Sequence, residues 1–254
     1  MCSFFYFDIE TLTKGIFIDM TELVTKNNHY YPQFLIRNWT NKDGNVCKNF
    51  IKTNSKIYVK PKENLFKKSV YDNDTEMQTS KDDNELSVLL KKFINDTVDK
   101  TQIIINGRFL QLVFKLFARQ PALNKASYNS VKDAILNEPF LNIGVKINEK
   151  MFDTKDFKRF VNHAFLSSTD YDISANWVKA KYVFYINNTE IPFILPDNTK
   201  TLLLPLTPSI IVGISSLTED KLNVEIKEIT DEKQITSHND KLNKNCDDYF
   251  ISKP

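Results

Sequence analysis

The most chemically suggestive motif of the sequence is HYYPQFLIRNW at residues 29–39. Pro32 predicts that a helix begins there, because proline is favoured at the first helical position. On that helix Gln33 and Arg37 share one face, and His29 precedes it by about one turn. An imidazole, an amide and a guanidinium at the positively polarised start of a helix suit a phosphate or carboxylate group. The motif therefore predicts an anion-binding site at His29, Gln33 and Arg37.

Two interpretations of this motif stay open. In the first, His29 is a general acid or base, since its ordinary pKa lies near neutrality, and Arg37 makes bidentate contacts to an anion. In the second, the polar groups satisfy one another inside the fold. His29 then bonds a buried carbonyl, and Arg37 pairs with Asp197 or another carboxylate as a structural tie.

Three further polar residues are candidates to complete the site. Asp197 lies in a predicted turn at a sheet end, from which its carboxylate can orient His29 for acid–base chemistry. Asn198 lies beside it, although an Asp-Asn pair is also typical of an ordinary turn. Arg119 ends an apolar helix, where it either complements the helix dipole or binds an anion. We predict Asp197 as a catalytic residue and Asn198 and Arg119 as ligand-binding residues.

Charge and cysteine content narrow the classes of function. The chain has 34 basic and 32 acidic residues, which argues against the strongly basic face typical of nucleic-acid binding. No cysteine pair has CxxC spacing and the three histidines fall in separate segments, so we predict neither a metal nor a cofactor. The odd cysteine count and the lack of a secretory signal favour a cytoplasmic location. No apolar run reaches the ~20 residues of a membrane span, so no membrane partner is expected.

Helical periodicity is clearest in the middle of the chain. Apolar residues recur at the i, i+3, i+4, i+7 spacing of one buried helix face in three segments: residues 86–94, 109–117 and 157–165. Phe117 is expected to be buried, whereas Lys115 falls off the apolar stripe and is expected to be exposed. Residues 68–84 are polar and predict a surface loop.

Strand patterns flank these helices. Residues 45–60 alternate loosely and predict a hairpin or two short strands, and after residue 177 the apolar period changes to two. Pro192 and Pro205 each remove a ladder donor, so their strands are expected at a sheet edge or at a bulge. A polar helix at 231–247 is expected to precede a closing strand.

The order of strands, then helices, then strands lacks βαβ alternation. It predicts an α+β fold in which an antiparallel sheet packs against a helical layer, in a single domain.

The opening motif also closely resembles the HYVPQFYLRNF opening of a bacterial family, domain of unknown function family 4238. Weaker matches follow in the family's order: ARQP at 118–121, LPDN at 195–198, LPLTP at 204–208, and Asn239 seven residues before Cys246. The resemblance covers about residues 27–252. It implies an extension at residues 1–26, a single domain at 27–254, and a place for Asn239 among the ligand-binding residues.

The chain also departs from the family pattern. Leu195 and Pro196 stand where the family tends to have two hydroxyl residues, and Thr199 replaces the usual proline. If the family has an active site, these changes imply that this chain lacks part of it. The resemblance implies no established activity.

Two function classes follow for this bacterial or phage-type chain. The first is a metal-independent hydrolase or nuclease of the kind found among toxin or phage-defence effectors, with His29, Arg37 and Asp197 as catalytic residues. The second is a non-catalytic module that binds a nucleotide or a protein partner. The expected ligand is a nucleotide or nucleic acid, while enzyme status and oligomeric state stay open. Convergence of the polar residues in one open cleft favours these classes, whereas dispersed or buried pairing favours a scaffolding role.

Overall fold

A computed structural model of the chain describes residues 28–63, 65–68, 73–98, 105–120, 149–154, 178–217, 219 and 221–254, and isolated positions between 125 and 161. The predicted extension at 1–26 and most of the third helical segment lie outside the described residues. The strands are β1 (Asn28–His29), β2 (Val46–Phe50), β3 (Ser55–Val59), β4 (Lys67–Lys68), β5 (Lys181–Asn187), β6 (Leu195–Pro196), β7 (Leu203–Thr207), β8 (Ile210–Ser216), β9 (Asn223–Ile229) and β10 (Tyr249–Ser252).

The first four-stranded sheet is antiparallel throughout, with the order β3-β2-β10-β6. Its β2–β3 hairpin confirms the prediction for residues 45–60, and β10 confirms the predicted closing strand. Because β10 lies between β2 and β6, this sheet joins the two ends of the described chain. The short strands β1 and β4 form a separate antiparallel pair.

The second four-stranded sheet has the order β7-β8-β5-β9 and is mixed. β5 pairs antiparallel with β8 but parallel with β9, so an entirely antiparallel arrangement was wrong for this sheet. The β7–β8 hairpin occupies one side of β5, and the chain crosses to the free side before β9 begins. Pro205 lies on the edge strand β7, beside an irregularity in its register with β8, which confirms the edge or bulge prediction.

Four α-helices are described: α1 (Gln33–Ile36), α2 (Asn73–Val98), α3 (Gly107–Ala118) and α4 (Glu232–Asn245). Short 3-10 helices cover Arg37–Trp39 and Glu149–Asp153. The Asn106 side chain caps α3 by accepting from the Phe109 N–H at 2.7 Å, and Asp231 caps α4 in the same way through Lys233. The fold class is therefore α+β, as predicted.

Helix α2 corrects the loop predicted at residues 68–84. It begins at Asn73, and its polar first half buries Thr79 and Asp82. The Asp82 carboxylate accepts from Lys115 Nζ on α3 at 2.8 Å and from Arg108 Nη2 at 3.0 Å. Charged partners on α3, rather than apolar side chains, hold this half of α2 in the fold.

The same interface corrects the expected exposure of Lys115, which is 5% exposed. The stripe prediction itself is confirmed, because Phe117 is 2% exposed. Lys115 is a polar residue on a buried face, and it is stabilised there by an ion pair that no local pattern reveals.

The second sheet is covered on both faces. Tyr182 and Phe184 of β5 belong to the core formed with α2 and α3, where Phe184 contacts the rings of Phe93 and Phe109. On the opposite face, Ile211 packs in a second cluster that includes Ile235 and Leu242 of α4. Cover on both faces explains why the strand segments read as near-continuous apolar runs. No described helix is long and apolar enough to cross a membrane.

Candidate functional site

The HYYP segment packs against the turn that contains Asp197. The Tyr30 hydroxyl donates to the Asp197 carbonyl oxygen at 2.6 Å, and the Tyr31 hydroxyl lies 2.9 Å from Thr199 Oγ1. Both phenols are buried, and burial raises the pKa of each. The two neutral tyrosines therefore anchor two segments that are far apart in the sequence.

The Asp197 carboxylate is held by backbone groups of the segment that leads into β10. Its Oδ1 accepts from the Asp247 N–H at 2.8 Å, and its Oδ2 accepts from the N–H groups of Asp248 and Tyr249 at 2.7 and 3.1 Å. Burial raises the pKa of Asp197, although these three donors act in the opposite direction. This carboxylate is arranged to fix a turn, and it is 6% exposed.

A small polar rim surrounds this turn. Asn198 Nδ2 donates to Asp247 Oδ2 at 2.7 Å, and Lys200 Nζ lies 2.5 Å from Asp247 Oδ1. The hydrogen bond from Lys200 lowers the pKa of Asp247. The Asn198 amide thus contacts a carboxylate of the same chain.

Cys246 lies beside this turn as a free thiol that the sequence analysis did not assign to the site. Its Sγ is 3.5 Å from the Leu242 carbonyl oxygen, and burial raises its pKa to about 12. At neutral pH the thiol is protonated, and the thiolate is the nucleophilic form. This cysteine is therefore a poor candidate for covalent catalysis.

An aromatic cluster closes the interior behind Asp197. Tyr30, Tyr31 and Tyr249 each place a ring within 6 Å of the Phe66 ring, at 5.7, 4.8 and 5.6 Å between centroids. The Tyr249 hydroxyl accepts from the Phe66 N–H at 3.0 Å, and burial raises the Tyr249 pKa to about 12. The cluster joins the HYYP motif, the β4 region and β10.

The three residues of the predicted anion site occupy different environments. The His29 backbone pairs with Lys67, and its side chain lies outside the described residues. Pro32 precedes the helix instead of beginning it, and Gln33, the first residue of α1, is half-buried. Arg37 is exposed and forms no ion pair among the described residues. The helix has four residues, so its start provides little of the expected helix dipole.

Arg119 contacts α2 instead of the Asp197 turn. Its Nη1 lies 2.5 Å from Asp83 Oδ1, and its Nη2 donates to the Thr79 carbonyl oxygen at 3.4 Å. Arg119 is 4% exposed. Burial raises the pKa of Asp83, while the guanidinium acts against that shift. The predicted anion partner of Arg119 is therefore a carboxylate of the same chain.

Asn239 ties α4 to the extended segment before β6. Its Oδ1 accepts from the Ile194 N–H at 3.1 Å, and its Nδ2 donates to the Pro192 carbonyl oxygen at 2.9 Å. These two bonds complete the backbone pairing of a segment that contains a proline. The structure thus brings Asp197 and Asn198 to the HYYP segment, while Arg119 and Asn239 are engaged elsewhere.

The end of the opening motif has a structural role that the sequence analysis did not identify. Trp39 is fully buried and its Nε1 donates to the Phe193 carbonyl oxygen at 2.8 Å. Asn38 Nδ2 donates to the Leu206 carbonyl oxygen at 3.0 Å. The motif therefore contacts both sides of the Asp197 turn along the chain.

The edge strand β3 presents an exposed surface. Residues 55–58 are exposed, including Ile57 at 45% and Tyr58 at 55%. Among the described residues β3 pairs only with β2. Lysine recurs every fourth residue from Lys48 to Lys60, a pattern that the predicted site does not include.

A cavity of about 450 Å³ opens beside this edge. It is lined by Lys48, Ile57, Val59, Glu63 and Leu65. The Lys48 ammonium lies 3.8 Å from the centroid of the Tyr249 ring, so the aromatic cluster extends to the cavity wall. Within the described part of the chain no group of three His, Cys, Asp or Glu side chains is placed to hold a metal ion.

Comparison with protein families supports a classification of the chain. The family described as protein of unknown function (DUF4238) matches residues 27–253. The chain therefore belongs to this family, as the HYYPQFLIRNW motif indicated. No curated protein and no solved structure matches the chain.

Proposed function

We propose that the protein is a non-catalytic recognition module that binds an extended, acidic segment of a partner protein along β3. The observation that carries the proposal is an edge strand exposed on both faces, with Ile57 and Tyr58 open to solvent. A partner segment that adds to such an edge gains main-chain hydrogen bonds, while its alternate side chains meet the two faces.

Among the described residues, no strand pairs with the outer edge of β3, whose backbone groups have the required spacing. The Ile51 N–H donates to the Asp248 carbonyl oxygen on the β10 side of the hairpin. The backbone N–H and C=O groups of successive residues point to opposite sides of a strand, so those of Lys48 in β2 point toward β3. They pair with the N–H and C=O groups of Ile57, which point back toward β2. The N–H and C=O groups of Lys56 and Tyr58 therefore point outward, where an added strand pairs with them.

Charge favours an acidic partner. Residues 42–63 contain two acidic residues, Asp43 and Glu63, and six lysines, of which Lys52 pairs with Asp248: Lys42, Lys48, Lys52, Lys56, Lys60 and Lys62. A second copy of the hairpin carries the same excess of lysine, so two such edges repel each other. An acidic segment is attracted by the same lysines, so charge selects a different chain over a second copy.

The polar residues predicted as catalytic or ligand-binding support a non-catalytic role. Asp197, Asn198, Arg119 and Asn239 each contact groups of the same chain at hydrogen-bond distance. Polar groups that pair within the chain in this way stabilise a fold. They favour a scaffold that presents the β2–β3 hairpin.

The test uses fluorescence anisotropy with a labelled synthetic peptide of alternating glutamate and valine, and an alternating lysine–valine peptide as control. We expect the acidic peptide to bind at least about tenfold more tightly. Tyr58→Pro removes one outward N–H, and with it a main-chain hydrogen bond to the peptide, so it should abolish binding. The fold should tolerate the change, because proline is accepted where an edge N–H faces solvent. Tyr58→Ala, the matched control, removes the ring but keeps the N–H and should retain most of the binding.

Two results contradict the proposal. One is the absence of binding by either peptide, and the other is equal binding by Tyr58→Pro and Tyr58→Ala. A single-stranded oligonucleotide forms a further arm of the same experiment. If it binds and Tyr58→Pro leaves that binding unchanged, the lysines serve a nucleic acid and the strand-addition proposal is wrong.

A metal-independent hydrolase or nuclease with His29, Arg37 and Asp197 is the second candidate. The contact from Tyr30 to Asp197 favours it, because the residue after His29 packs on that turn. Cleavage of RNA, DNA and nucleotides is measured with and without chelator, in the wild type, His29→Gln and Arg37→Lys. Loss of cleavage in both variants at unchanged melting temperature supports this candidate, and absence of cleavage in the wild type rejects it. A cytoplasmic location stays a prediction.

A further inference from the structure

The cavity beside β3 lies on one face of the hairpin sheet. Lys48 and Ile57 are direct partners across β2 and β3, so their side chains point to the same face. Both line the cavity, and Leu65 beneath them is almost fully buried. A side chain on the same face of an added strand, opposite Ile57, therefore points to the mouth of the cavity.

The position opposite Ile57 is favourable for a close side-chain contact. The outward peptide groups belong to Lys56 and Tyr58, so Ile57 occupies a non-hydrogen-bonded pair with an added antiparallel strand. Side chains approach most closely at such pairs. This position of the partner segment is the one that the cavity can discriminate.

Lys48 supplies the charge at this position. Its ammonium lies over the rings of Tyr249 and Phe50, at 3.8 and 4.9 Å from their centroids. Among the described residues, no carboxylate lies within 4 Å of Lys48 Nζ, and Glu63 at the cavity wall accepts instead from the Lys60 N–H at 3.2 Å. Burial lowers the pKa of Lys48, while the charges of Asp197 and Asp248 act in the opposite direction, and a bound anion would stabilise the charged form further.

We infer that Lys48 determines the specificity of the β3 surface by binding the carboxylate of a glutamate at the partner position opposite Ile57. The inference rests on the strand-addition function proposed above. The apolar walls formed by Ile57, Val59 and Leu65 contact the methylene stem. The ammonium turns from the Tyr249 ring, on the β10 side of β2, toward β3 to contact the carboxylate. Lys48 thereby selects a negatively charged segment and fixes the register in which this segment binds.

A double-mutant cycle tests this assignment with the labelled glutamate–valine peptide. Each glutamate is replaced in turn by glutamine, and every peptide is titrated against the wild type and Lys48→Met. Methionine keeps most of the stem volume and removes the charge. We expect one glutamate whose replacement weakens binding to the wild type at least about tenfold but leaves binding to Lys48→Met nearly unchanged. Lys56→Met, on the opposite face, is the matched control and should lack coupling to that position.

The outcomes separate this inference from the proposed function. If the acidic peptide binds and requires the Tyr58 N–H, but no glutamate couples to Lys48, the inference is wrong and strand addition stands. If phenylalanine opposite Ile57 binds more tightly than glutamate, the cavity selects an aromatic ring and the inference is again overturned. If no peptide binds, both are rejected. Unchanged melting temperatures for Lys48→Met exclude unfolding as the cause of any loss.

Discussion

Tyr30 and Asp197 are 167 positions apart, yet the Tyr30 hydroxyl lies 2.6 Å from the Asp197 carbonyl oxygen. The Asp197 carboxylate, in turn, accepts three backbone N–H groups from residues 247–249. Asp197, in the turn before β7, thus connects the segment that contains Tyr30 to residues 247–249, which lead into β10. The family motif that contains Tyr30 has a structural partner in the LPDN segment.

Tyr30→Phe should lower the free energy of unfolding by about 1–2 kcal/mol, because it leaves the buried Asp197 carbonyl oxygen without its donor. Tyr58→Phe removes a hydroxyl from an exposed tyrosine and should change stability by less than about 0.5 kcal/mol. Urea denaturation of the two variants makes the comparison. Equal midpoints for both would show that the Tyr30 hydrogen bond contributes nothing.

Asp197 should also affect how stability depends on pH. Burial raises its pKa in the folded protein, so its contribution is fully present below the ordinary aspartate pKa and is lost as pH rises through the folded pKa. The destabilisation by Asp197→Asn should therefore be larger near pH 4 than at pH 7. Urea melts across this range measure it, with Asp240→Asn on the exposed side of α4 as control. A difference that grows with pH would mean that the three N–H donors outweigh burial.

The buried ion pair between α2 and α3 should be sensitive to removal of one partner. Lys115→Met leaves Asp82 in a site where only Arg108 remains as a cation, and it should cost about 3 kcal/mol. Adding Asp82→Leu should restore most of that loss, because the double variant has no uncompensated carboxylate. Lys91→Met, on the exposed face of α2, is the control. If Lys115→Met matches Lys91→Met, the pair has no net effect on stability.

Cys246 should resist alkylation in the folded protein. A rise in pKa from 9.0 to about 12 lowers the thiolate fraction at pH 8 by roughly a thousandfold, and the thiolate is the reactive form. Iodoacetamide labelling followed by peptide mass spectrometry should find this residue unmodified until urea unfolds the chain. Rapid labelling at pH 8 without urea would identify Cys246 as an accessible nucleophile and reopen covalent catalysis.

Local patterns were sufficient for elements with an apolar period. The stripe from Phe109 to Phe117 follows the helical period, and its members pack in the core as expected. Local sequence also predicted the β2–β3 hairpin, from its alternation of residue types. It predicted the edge position of Pro205, because proline lacks a backbone N–H. The family was recognisable from the HYYPQFLIRNW motif, because the matching residues of this motif lie close together in the sequence.

Elements that are stabilised by charged residues far away in the sequence could not be predicted from local patterns. The first half of α2 is polar, and what buries Asp82 is a lysine on another helix, so the segment resembled a loop. The parallel pairing of β5 and β9 depends on which side of β5 is unoccupied, and the residues of neither strand predict which side that is. Likewise, the Asp197–Asn198 turn was recognised as a turn, but its three N–H partners lie about 50 positions away.

The position of β10 between β2 and β6 has a consequence for synthesis on the ribosome. The β2–β3 hairpin emerges early, but the strand that covers its other side is translated about 200 residues later. Until then the nascent chain exposes two edges of a lysine-rich hairpin, and closing so long a loop is slow. The first sheet is therefore completed only after β10 has been synthesised, and Lys56 on the exposed edge disfavours edge-to-edge aggregation of the hairpin until then.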